Sequence, residues 1–99
     1  MDSELQRIVE AVRAVETQLR ETALGPARTR YDAVPRADEE HLLSALAAVL
    51  EVLKDLTGVL PGRLHTPNAR FALNSASLEL GGLAGNLRRA ERHASAGGV

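Results

Sequence analysis

A chain of 99 residues has the length of one domain, and its 44% hydrophobic and 25% charged content excludes a disordered chain and an integral membrane protein. The formal net charge of −1 leaves no global field to draw in nucleic acid or anionic lipid. The absence of Cys excludes disulfides, thiolate nucleophiles and Cys-ligated zinc.

Leu (16), Ala (16) and Val (8) supply the apolar residues, with a single Ile, Phe and Tyr and no Trp. Leu and Ala are strong helix formers, and strand-favouring aromatics are nearly missing, so the expected fold is all-α. The first predicted helix spans residues 3–24. Leu5, Ile8, Val12, Val15 and Leu19 recur at the 3,4 spacing of a heptad seam, and Val9 widens the stripe. Ser3 and Gln6 fit a capping box, and Gly25-Pro26 reads as a helix stop. A connector over 26–37 follows, holding Arg28, Arg30, Tyr31, Val34 and Arg36. It is long for a helical turn, so it is expected to be a partly helical crossover packed by Tyr31 and Val34.

The second predicted helix spans 38–57. Asp38 is its expected N-cap, with Glu39 and Glu40 in the first turn. Leu42, Leu46, Val49, Leu53 and Leu56 form one stripe, and Leu43, Ala47 and Leu50 a second, so this helix should have neighbours on two sides, and Gly58 should end it. Thr66-Pro67 opens a third helix over 67–94, Thr as N-cap and Pro at N1. Its seam is Ala69, Leu73, Ala76, Leu80, Leu83, Leu87, Ala90 and Ala94. The seam keeps phase through Gly81-Gly82, which favours one continuous helix, and Ser77, Gly81 and Gly85 form a small-xxx-small series suited to a close crossing. Residues 95–99 should be a frayed tail.

At ~1.5 Å per residue the first two helices are near 30 Å and the third near 42 Å, so about two turns of seam lack cover within one chain. The expectation is a single domain over 1–99, an antiparallel three-helix bundle with a long third helix that forms a homodimer. A four-helix bundle with a short helix in the 26–37 connector is the alternative. Leu73, Leu80, Gly81, Leu83, Gly85 and Leu87 make the candidate interaction seam.

Candidate chemistry is sparse. Asp38 and His41 share a helix face, but no Glu-x-x-His occurs and no metal or cofactor is expected. Arg63, His65 and Arg70 flank the Thr66 cap and form a candidate anion-binding cluster. Segment charges are −2 over 1–25, +2 over 26–37, −4 over 38–57 and +3 over 58–99, with no layout for reading nucleic acid.

The spacing of Arg88 and His93 is similar to the Arg-x4–6-His signature of the HEPN ribonucleases, which are dimeric helical bundles. That resemblance implies the two residues acting on an RNA phosphodiester with a second subunit completing the site. Arg89 stands where that family typically carries a polar residue, and a basic last turn that complements the helix dipole accounts for the pair more simply, so no family is assigned. The helical-hairpin substrates of type VII secretion match in size alone, since their W-x-G turn and C-terminal Y-x-x-x-D/E signal are missing.

The acidic, polar Met1-Asp2-Ser3-Glu4 start is unlike a secretory signal, and the longest run free of charge and strong polarity, Ala45–Leu50, is far below a membrane span of ~20 residues. The expected protein is a cytoplasmic, non-catalytic interaction or adaptor protein that self-associates and binds a protein partner. The alternative is a regulator or enzyme acting on a phosphate-bearing ligand or RNA through the Arg/His clusters.

Overall fold

A computed structural model describes residues 2–30 and 32–96. Helix of one kind or another covers 88% of the described residues, and no strand occurs among them. The elements in order are α1 (Ser3–Gln18), a π-helical turn (Leu19–Leu24), α2 (Gly25–Thr29), α3 (Arg36–Val59), a 3-10 turn (Pro61–Arg63) and α4 (Pro67–Ser95). The chain divides into two compact units, Met1–Ala33 and Val34–Val99.

In the first unit the helix starts one residue earlier than the Ser3–Gln6 capping box proposes. Asp2 is the N-cap, its carboxylate accepting the Glu4 backbone N–H at 3.2 Å. Gly25-Pro26 does not stop the helix. Over Leu19–Leu24 the backbone takes the wider π turn, and the Gly25 N–H bonds the Arg20 carbonyl five residues back. In an α-helix the proline ring collides with the carbonyl four residues earlier. The widened turn gives that ring room, and the helix runs on to Thr29. The π turn also stacks residues five apart, which sets Leu24 after Leu19 on the stripe of Leu5, Ile8, Val12 and Val15. The connector therefore contributes helix as a continuation of the first segment, not as a separate short helix. Tyr31, expected to pack it, lies outside the described residues.

The second unit is an antiparallel helical hairpin. α3 begins at Arg36, after Pro35, whose extended backbone is the N-cap. Asp38 is therefore a first-turn residue beside Glu39, where the helix dipole favours it, and not the cap. Gly58 does not end α3, because in α-helical conformation it only costs propensity; the helix passes to Val59 and tightens into the 3-10 turn. α4 starts at Pro67 after Thr66 and runs without a break through Gly81 and Gly82 to Ser95, as the unbroken seam phase indicates. Of the tail, residues 97–99 lie outside the described residues.

Far-UV circular dichroism should report a chain far above half helical, with no β component. An appreciable strand signal would contradict this fold.

Candidate interaction surface

The hairpin is held by small residues. Ala47 on α3 is 0% exposed and Ala84 on α4 is 4% exposed, and they are the buried apolar side chains between these helices. Methyl-sized side chains let two helix backbones approach closely. Ser77, also on the inner face, donates its hydroxyl to the Lys54 backbone carbonyl at 2.9 Å, a side chain on one helix bonding the main chain of the other. A Cβ at Gly58 would meet the Ser77 Oγ at 3.3 Å, and one at Gly81 would meet the Lys54 Cε at 3.4 Å.

One polar cluster crosses the seam. The Arg88 guanidinium on α4 reaches both carboxylate oxygens of Glu51 on α3, Nε to Oε2 at 3.2 Å and NH2 to Oε1 at 2.6 Å. Its NH1 donates to the Ser44 hydroxyl at 3.2 Å and to the Glu91 carboxylate at 2.9 Å. A planar fork matched to two carboxylates and a hydroxyl fixes the rotation and sliding of α4 on α3. The Arg88 hydrogen bond holds the Glu51 carboxyl below its ordinary value, and the hydrogen bonds to Glu51 and Glu91 push the Arg88 guanidinium up. In the sequence pattern Glu51 is only a charged break in an apolar helix, and the one local signal of the cluster is the i,i+3 spacing of Arg88 and Glu91.

Counting about 100° per residue from Ala47 and Ala84 gives the hairpin two unlike flanks. Ser44, Glu51 and Arg88 turn to one side and touch across the seam. Leu43, Leu46, Val49, Leu50 and Leu53 on α3 turn to the other side. So do Leu73, Ala76, Leu80, Leu83, Leu87 and Ala90 on α4. All of these are half-buried or exposed. The second flank is a continuous apolar strip, with Glu39 at one end and Glu79 on its outer edge as its charged margin.

This arrangement places the candidate seam residues unequally. Leu73, Leu80, Gly81 and Leu87 border the α3 contact, half-buried. Leu83 is 51% exposed, one step around the helix from them on the second flank. Gly85 does not mediate a close crossing, because a Cβ there meets nothing within 4 Å. Of the small-xxx-small series, Ser77 and Gly81 face α3, and Gly85 has rotated past it.

The basic candidates lie apart. Arg63, His65 and Arg70 surround the loop before α4, all exposed. The Arg70 Nε donates to the Leu64 carbonyl at 2.6 Å, which spends part of its fork on holding the loop. Arg88 is committed to Glu51, Glu91 and Ser44, and His93, five residues on, turns about 140° away around the helix. Arg88 and His93 do not share a face. No group of three or more His, Cys, Asp or Glu residues among the described residues is placed to hold a metal ion, and no described helix is long and apolar enough to cross a membrane. No protein-family model, curated protein or solved structure matches this chain.

Two outcomes follow from this geometry. Ala47→Leu should overpack the seam and cost ~1–3 kcal/mol in urea unfolding, whereas Gly82→Ala and Gly85→Ala, each entering open space, should stabilise by ~0.5–1 kcal/mol apiece through helix propensity. The second concerns acid. With its folded pKa lowered, Glu51 supplies stability that is complete above the ordinary carboxylate value of ~4.3 and is lost as pH falls through the lowered folded value. Melting temperature against pH should therefore decline less steeply below ~4.3 in Glu51→Gln than in the native chain.

Proposed function

We propose that the protein is a small, non-catalytic helical interaction module of the cytoplasm, which self-associates and binds a protein partner through its apolar helix faces. The observation that carries this reading is the open apolar flank of the α3–α4 hairpin, with Leu83 at 51% and Leu46 at 45% exposure in its middle. Burying a leucine from water is worth ~1.5–3 kcal/mol. A strip of several such residues, free of charge except at its margins, is the usual mark of a surface that another helix covers.

The basic side chains support the non-catalytic part of the reading. Arg88 and Arg70 spend hydrogen-bonding capacity on the protein's own carboxylates and carbonyls. Helix-in-groove recognition needs no reactive group. It needs leucines at helical spacing on a rigid support, which the Arg88 cluster and the alanine contact provide.

Two measurements test this. Nucleotides, sulfate and RNA should leave the melting temperature unchanged, and a clear rise with any of them would favour a phosphate-binding function instead. A host protein retained by the native chain should be lost by Leu46→Glu with Leu83→Glu and kept by Val52→Glu with Leu78→Glu, which alter the opposite flank. Equal retention by both variants would show that the strip is not the recognition surface.

A further inference from the structure

We draw no further inference here: the strongest candidate, the exposed apolar patch of Val52, Val59, Phe71 and Leu78 on the flank of the α3–α4 hairpin that carries Arg88, is an unpartnered helix face, and nothing in the structure shows what covers it.

Discussion

Ala47 and Ala84 are the buried apolar side chains of the hairpin, and the rest of it follows from how near such small side chains let α3 and α4 come. At that separation the Ser77 hydroxyl can reach a main-chain carbonyl on the neighbouring helix. The Arg88 fork, too, can bridge to Glu51 and Ser44 without stretching. A leucine in place of either alanine would widen the gap and loosen both polar links together. The contact is small in buried area, so its contribution is less the hydrophobic energy it releases than the geometry it permits.

That geometry divides the labour between the two flanks. On the side with Arg88, Glu51 and Ser44 the charges pair and the hydrogen bonds close within the unit, with Val52 and Leu78 exposed beyond them. On the other side Leu46 and Leu83 are exposed as well. Paired charges that remain half in water add little to stability on their own. Their value lies in specificity, because a slide of α4 by one turn would separate Arg88 from Glu51 while leaving the leucine strip equally apolar. A seam of leucine and alanine alone tolerates several registers; the ion cluster selects one.

The fold class was legible in composition and in the 3,4 spacing, and the continuity of α4 through Gly81-Gly82 was legible in the phase of Leu80, Leu83 and Leu87. What periodicity could not supply was azimuth. A strip as broad as that of α4 faces two directions: Leu83 stands exposed on one of them, and Gly85, expected at a close crossing, meets open space within this chain. Nor could it foresee that a proline after glycine would be absorbed. The rule that Gly-Pro ends a helix assumes an α turn, and Leu19–Leu24 adopts a wider one. The Glu51–Arg88 link joins residues far apart in the chain, and no local pattern announces such a pair. The partner of the flank is not written in the sequence at all, since leucines at helical spacing specify a shape and not an identity.

The π turn has a consequence of its own. Such a turn is an α-helix carrying one residue in excess, and the excess is accommodated by widening, not by a loop. Six residues of the wider turn sweep about the same angle as five residues of α-helix at about 100° each. Deleting one residue from Leu19–Leu24 therefore returns the segment to α geometry with Gly25–Thr29 close to their present azimuth. The joint is a place where residue count can change by one without re-aiming the helix on either side of it.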